Sequence, residues 1–294
     1  MTPFVFGSLA AEAPQVVLYG NCQILCMAPL LAAADDRYQY VCLMSYSAPH
    51  QPLRLPQPED LRRCVLYLEQ FDSKEDDLLP IRRALRALMP PSCPRLIFPS
   101  FIFRGFWPFE TKDPRVTSEE GYLWGRYPYG DRLVQKMAGT GLSGGAAFKE
   151  YLHRSMVAMP DMAGKLAQEE QRILRRDQAC DVAIGDYVLD VVRRRHFFWT
   201  SGHITPDGLG VLASRLYGAA QAFLGGEPRR GQGRLQAMAA DLPPMGPLQV
   251  PIHPYVAEAA GLAFWHPEMR YRWYDNLWTF EEYITRYLAY DRSW

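Results

Sequence analysis

Apolar and polar positions alternate in short blocks through the first hundred residues. Val16-Val17-Leu18 is an apolar, β-rich run that breaks at Gly20-Asn21, the pattern of a buried strand entering a tight or positive-φ turn. From Gln23 to Ala34 the apolar residues Ile24, Met27 and Leu31 recur at helical spacing. This predicts a helix that ends at Asp35-Asp36 and kinks or restarts at Pro29. Tyr38 to Leu43 reads as a second strand, Cys64 to Gln70 as a third and Arg95 to Ser100 as a fourth. A helix over Leu78 to Met89 tolerates Pro80 in its first turn and stops at Pro90-Pro91. Such alternation predicts an α/β fold of mixed α+β, helix-rich character, with a small, partly parallel N-terminal sheet flanked by helices.

Beyond residue 100 the pattern changes. Phe101, Phe103, Phe106, Trp107, Phe109, Tyr122, Trp124, Tyr127 and Tyr129 are interleaved with Gly, Pro and Arg. These long aromatic loops can line a cleft or pack over the core. Gly139 to Gly145 is glycine-rich, matches neither a P-loop nor a dinucleotide fingerprint, and reads as a flexible loop. Ala146 to Arg195 is mostly helical in pattern. Further on, Thr205 is a candidate N-cap and Pro206 suits the first helical position, while Leu209, Leu212, Leu216 and Phe223 form a stripe halted by Gly225-Gly226. Residues 227–249 read as a surface excursion, and Phe280 to Tyr290 as a final amphipathic helix. The expectation is one domain over 1–294, with an α/β part at 1–130 and a mainly helical part at 131–294.

The turn after the first of these strands carries the most suggestive chemistry. Gly20-Asn21-Cys22-Gln23 places Cys22 at a helix N-terminus, where backbone amides and the helix dipole favour a thiolate and can hold an oxyanion. Cysteine also packs as a small buried hydrophobe, and Gly-Asn is an ordinary turn. Ser45 and Ser47, at the end of the second strand, and Gln70, at the end of the third, fall where an open α/β sheet collects its ligands. His203 sits in the loop before the Pro206 helix, a suitable place for a base that takes a proton from Cys22 or pairs with its thiolate. A loop histidine bonded to backbone is the other reading. Arg104, Arg126 and Arg132 are candidate phosphate partners.

Composition narrows the classes. With 32 basic and 32 acidic residues among 294, there is no broad electrostatic footprint for nucleic acid. The six cysteines lack paired zinc spacing, so no metal is expected, and they read as reduced thiols of a cytoplasmic protein. No run reaches the roughly 18 apolar residues of a membrane span, and the opening residues do not read as a signal peptide.

Tyr19-Gly20-Asn21-Cys22-Gln23, Phe98-Pro99-Ser100, Gly105-Phe106-Trp107-Pro108, Gly202-His203-Ile204-Thr205 and Phe280-Glu281-Glu282-Tyr283 together resemble the WcbI family, enzymes of bacterial capsular-polysaccharide biosynthesis. The likeness covers chiefly the first 130 residues and 196–225. It implies an unusual mixed fold, coenzyme A or acetyl-CoA as acyl donor, and transfer to a sugar or polysaccharide acceptor. It matches Cys22 and His203 to the family's cysteine and histidine, and Asn21 and Ser45 to polar residues beside that cysteine. Gly20, Gln23, Gln70 and the three arginines are then candidates for holding the coenzyme, and a homo-oligomer is possible. There is a wider likeness to the GDSL/SGNH hydrolases, whose late Asp-x-x-His is broken here by Thr200; Asp207 follows the histidine and cannot simply replace the missing aspartate. Two other functions fit the same residues: an acyl-ester hydrolase using water, and a non-catalytic glycan- or nucleotide-binding protein.

Overall fold

The computed structural model describes residues 4–47, 55–71 and 75–290. Of the loop expected after the second predicted strand, Ala48 and Pro49 lie outside the described residues. In chain order the elements begin with β1 (Phe4–Gly7), β2 (Gln15–Gly20), α1 (Gln23–Ala34), β3 (Gln39–Met44), α2 (Pro58–Leu61), β4 (Cys64–Phe71), α3 (Glu75–Leu88) and β5 (Arg95–Pro99). They continue with β6 (Glu110–Thr111), β7 (Gly130–Asp131), α4 (Arg132–Met137), α5 (Gly144–Ala158), α6 (Met162–Gln178), α7 (Gly185–Val191), α8 (Pro206–Leu224) and α9 (Pro228–Ala240). The last four are α10 (Pro254–Ala260), β8 (Tyr271–Trp273), β9 (Asn276–Trp278) and α11 (Phe280–Leu288). The fold is thus mixed α/β and helix-rich, as the pattern predicts. Two compact units form, and neither follows chain order: one comprises Met1–Ile102, Arg172–Leu189 and His203–Met245, the other Phe103–Gln171, Asp190–Gly202 and Gly246–Trp294.

The first unit is built on a five-stranded sheet of order β1-β3-β2-β4-β5, parallel throughout except for β1. All six residues of β2 are buried, as befits a central parallel strand covered on both faces. On one face Val17, Tyr19, Val41, Leu43 and Tyr67 pack with Leu85 and Met89 at the end of α3. β1 is short and largely exposed, which is why no hydrophobic alternation announced it. The β5 edge is closed by residues from the α6–α7 connection: Ile97 N–H donates to Asp181 Oδ2 (2.7 Å), and Asp181 N–H donates back to Ile97 O (2.8 Å).

Residues 227–249 correct the sequence reading. Pro228–Ala240 is the helix α9, packed against α1 and α8 with Leu235 fully buried. Its glycines disguise it: Gly231 lies so close to the Tyr217 ring that a Cβ there would collide with the phenol. In α8, Pro206 takes the first turn as expected and Leu209, Leu212 and Leu216 face inward, whereas Phe223 is half exposed and Thr205 caps without a side-chain bond.

In the second unit the aromatic stretch serves mainly as core. Phe103, Phe106, Trp107 and Phe109 are all buried, with Phe103 stacked on Phe198 (5.1 Å). Tyr127 stacks on Tyr287 of α11 at 4.3 Å, and the Tyr287 hydroxyl donates to Asp113 (2.7 Å). α11 itself starts on a Thr279/Glu282 capping box. The Gly139–Gly145 run leads into α5 with Gly139, Gly141 and Gly144 at positive φ.

His253 is the buried N-cap of α10. Its Nδ1 accepts from Tyr255 N–H (3.2 Å), and its Nε2 lies 2.8 Å from Ser155 Oγ. Because the Ser155 hydroxyl already donates to Leu152 O (2.7 Å), the neutral ring must carry its proton on Nε2. Burial pushes the His253 pKa down to about 4, below the unfolded value of about 6.5. The stability it supplies is therefore complete above the unfolded value and is lost as pH falls toward 4. Buried His196, also near 4, acts in the same direction. We expect His253→Gln to lower stability at pH 7.5 by about 1–2 kcal/mol, the size of a lost cap. It should also shrink the loss of stability between pH 7.5 and pH 5, read from denaturant midpoints at the two pH values.

Candidate functional site

Strand β2 lies between β3 and β4, the connections running to one side and then to the other. Its C-terminal end is therefore the topological switch point of the sheet, the position where open α/β sheets hold ligands. The chain leaves β2 there through Gly20-Asn21-Cys22 and enters α1. Neither Gly20 nor Asn21 takes the positive φ allowed for by the sequence reading. Glycine is required at 20 for space instead: a Cβ there would lie 2.5 Å from Gln70 Oε1 and 2.8 Å from Ile24 Cγ2.

A chain of side-chain amides fixes the turn. Gln70 Oε1 accepts from Asn21 N–H (2.9 Å), and Gln70 Nε2 donates to Gln23 Oε1 (2.9 Å). Gln23 in turn clamps Phe101, its Oε1 accepting from Phe101 N–H (3.0 Å) and its Nε2 donating to Phe101 O (2.9 Å). Asn21 Oδ1 accepts from Gln23 N–H (3.0 Å). The first amide after Cys22, expected to serve a developing oxyanion, is thus engaged by the neighbouring side chain. Gln23 and Gln70 are both buried, so they form the framework behind the turn. Ser45 adds a backbone pin, its N–H donating to Gly20 O (2.7 Å).

Behind Gln70 stands a charged cluster that sequence reasoning missed. Arg82, buried in α3, donates to Gln70 O (2.5 Å), while Arg86 grips Glu69 through both Nε and Nη2 (2.8 and 2.5 Å). A buried carboxylate at a strand end needs such partners. The signal was present in the i, i+4 spacing of Arg82 and Arg86.

Cys22 and His203 meet on this framework. Cys22 Sγ lies 3.5 Å from His203 Nε2, and both residues are half-buried. Burial lowers the His203 pKa from 6.5, which keeps the imidazole neutral and able to accept a proton near neutral pH. The other thiols of the α1 region are different in kind: burial pushes Cys26 up to about 11, with Cys22 adding to the rise, and Cys42 up to about 12. None of the six cysteines is joined in a disulfide. Asp207, in the first turn of α8, accepts from the Tyr187 hydroxyl (2.8 Å).

The three candidate arginines belong to the second unit. Arg126 is ion-paired with Glu119 (3.1 Å), and Arg132 lies over the Phe109 ring (5.1 Å). Arg104 shares an open cavity of about 430 Å³ with Lys112, Lys165 and the carboxyl of Glu110; the three cations suit a phosphate, and Glu110 offsets part of their charge. Among the described residues no cluster of three or more His, Cys, Asp or Glu could hold a metal ion, and no helix is long and apolar enough to cross a membrane.

The family model described as "Polysaccharide biosynthesis enzyme WcbI" matches residues 15–222, from the start of β2 into α8, and spans both Cys22 and His203. The chain belongs to the WcbI family. A solved structure described as WcbI, "a novel polysaccharide biosynthesis enzyme", has a similar fold: TM-score 0.63 at 15% identity, covering 94% of this chain and 89% of that one. That protein is described as native and without a disulfide bond between CoA and one of its cysteines. No curated protein sequence matches this chain. The GDSL/SGNH likeness gains no support from these comparisons, and Thr200, where that pattern has aspartate, bonds through its hydroxyl to Tyr129 (3.1 Å).

Two expectations follow from the WcbI site as built. Gln70→Ala removes the acceptor of Asn21 N–H and one partner of Gln23, so it should lower unfolding free energy by about 2–3 kcal/mol in denaturant titration. Iodoacetamide at mildly alkaline pH should label Cys22 ahead of Cys26 and Cys42, because the thiolate is the reactive species and burial keeps the latter two protonated. Peptide mapping of the labelled protein reads the order.

Proposed function

We propose that this WcbI-family protein is a CoA-dependent acyltransferase, acting chiefly as an O-acetyltransferase on a hydroxyl of a sugar or polysaccharide precursor. The observation that carries the reading is the 3.5 Å approach of Cys22 Sγ to a neutral His203 imidazole at the sheet's switch point. A thiol and a base at that distance suit acyl chemistry. The description of the solved WcbI structure names CoA together with a cysteine, and Cys22 is the residue of this chain we assign to meet the thioester. Six cysteines outside any disulfide suit a reducing interior, so we place the reaction in the cytoplasm.

Two routes use the same residues. In one, His203 takes the Cys22 proton and Sγ attacks the thioester carbonyl; the C–S bond to CoA breaks, His203 returns the proton to the departing CoA thiolate, and the acyl group stays on Cys22. His203 then deprotonates a sugar hydroxyl, whose oxygen attacks the acyl carbonyl; the C–S bond breaks, the sugar keeps the acyl group as an ester, and Cys22 Sγ leaves and recovers the proton from His203. In the other, His203 takes the proton of the sugar hydroxyl as its oxygen attacks the thioester carbonyl, the C–S bond to CoA breaks and the proton passes to the departing CoA thiolate, while Cys22 helps to seat the acyl group. Asn21 is assigned to the oxyanion in both: with its Oδ1 held by Gln23 N–H, the side chain's Nδ2 group supplies the donors. Gln23, Gln70 and Gly20 hold the turn in place, and Ser45 flanks it.

The test is acetyl transfer from acetyl-CoA to capsule-type oligosaccharides, followed by mass spectrometry, with calorimetric titration of CoA alongside. Cys22→Ala and His203→Gln should each reduce turnover by about 10²–10⁴-fold with CoA binding retained. An acetylated Cys22 peptide trapped before acceptor is added selects the covalent route. The lowered His203 pKa puts the acid limb of kcat/KM below pH 6.5, and His203→Gln should abolish that limb. Acetate release with water as sole acceptor would convert the reading to a hydrolase, and absence of CoA binding would sink it.

A further inference from the structure

The second unit contains a cleft of about 390 Å³ whose walls are aromatic rings and guanidinium groups. Trp278 and Arg286 form one side, with the Arg286 guanidinium 5.0 Å from the indole ring centre. Tyr122 and Arg126 form another, in the same stacked relation at 5.6 Å. Asn276 contributes an exposed amide, and no carboxylate lines the cleft among the described residues. Glu119 pairs with Arg126 (3.1 Å), and Glu282 acts on Arg286 but is also paired with Arg270 (3.4 Å), so three guanidinium groups stand against two carboxylates around the cleft. The β8, β9 and α11 wall lies wholly beyond the span matched by the family model.

The cleft is built rather than left over. Tyr274, in the turn between β8 and β9, has φ of 53° and is the one non-glycine residue at positive φ among the described residues. A bulky side chain there is strained, and such strain persists where surrounding contacts over-determine it. Three contacts do so: Tyr274 N–H donates to Pro247 O (3.0 Å), its hydroxyl donates to Gly125 O (2.8 Å), and its ring meets Tyr122 edge-on at 4.6 Å. Trp273, next to it, donates from Nε1 to Arg126 O (2.9 Å). The hairpin and the Tyr122–Arg126 loop are thereby locked together with their rings turned to the cleft.

We propose that this cleft binds an acidic saccharide. A sugar ring offers an apolar C–H face to an aromatic side chain and hydroxyls to amides and phenols, while a uronic carboxylate or a sulfate matches the guanidinium fork. The volume suits a small number of sugar units within the usual range of ligand pockets. The inference stands whether or not Cys22 transfers an acyl group.

The test titrates the full chain, without CoA, with a hexameric oligogalacturonate, followed by tryptophan fluorescence and calorimetry. Maltohexaose serves as the neutral saccharide and UMP as the nucleotide probe. Saturable oligogalacturonate binding is expected, about tenfold or more tighter than maltohexaose and weakening as salt rises. Arg286→Gln and Trp278→Ala should each weaken it about tenfold at unchanged unfolding midpoint. Exposed Arg229→Gln on α9 should leave it intact. Trp278→Phe, which keeps a ring, should recover part of the loss. Equal affinity for maltohexaose, tighter binding of UMP, no saturable binding at all, or an equal loss in Arg229→Gln would each overturn the proposal.

Discussion

The amide chain Asn21–Gln70–Gln23–Phe101 is the constraint on which the site depends. Two buried glutamines join the end of β2, the end of β4 and the segment after β5 through five hydrogen bonds of 2.9–3.0 Å when the Asn21–Gln23 bond is included. Burying two primary amides is favourable only when their donors and acceptors are met, so the network tolerates little displacement of any member. Gly20 is part of the same constraint, because the Gln70 side chain occupies the volume that a Cβ would need. Arg82 and the Glu69–Arg86 pair fix Gln70 from behind.

This rigidity matters because an otherwise ordinary thiol is held beside an imidazole without a charged orienter in the sequence position familiar from hydrolases. Burial does the tuning: it keeps His203 neutral and keeps Cys26 and Cys42 protonated. Cys22, half-buried like Cys26, is the thiol held within reach of Nε2. Membership of the WcbI family gives this arrangement its setting in polysaccharide biosynthesis.

The second unit uses its aromatic residues in two ways. Phe103, Phe106, Trp107 and Phe109 are core, whereas Tyr122, Trp278 and Tyr290 keep part of their rings in solvent. Periodicity does not separate these uses, since in irregular segments burial is set by partners distant in the chain. Tyr127 is an example, stacked between Trp273 and Tyr287 from the C-terminal region.

Local pattern determined much. The strands β2 to β5, the helices α1, α3, α8 and α11, and the place of Cys22 at a helix start are all legible, because each rests on short-range spacing, proline position or a glycine stop. The GNCQ string and the later histidine carried the family resemblance. Tertiary structure alone decided the rest. The exposed edge strand β1 is too short to show a pattern, and α9 hid behind glycines whose purpose is close packing against Tyr217. The reason for Gly20 was likewise invisible, being the volume of Gln70 and not a backbone angle. So was the 3.5 Å meeting of Cys22 and His203 across 181 positions: sequence proposes both residues, but only closure of the fold fixes a distance between them.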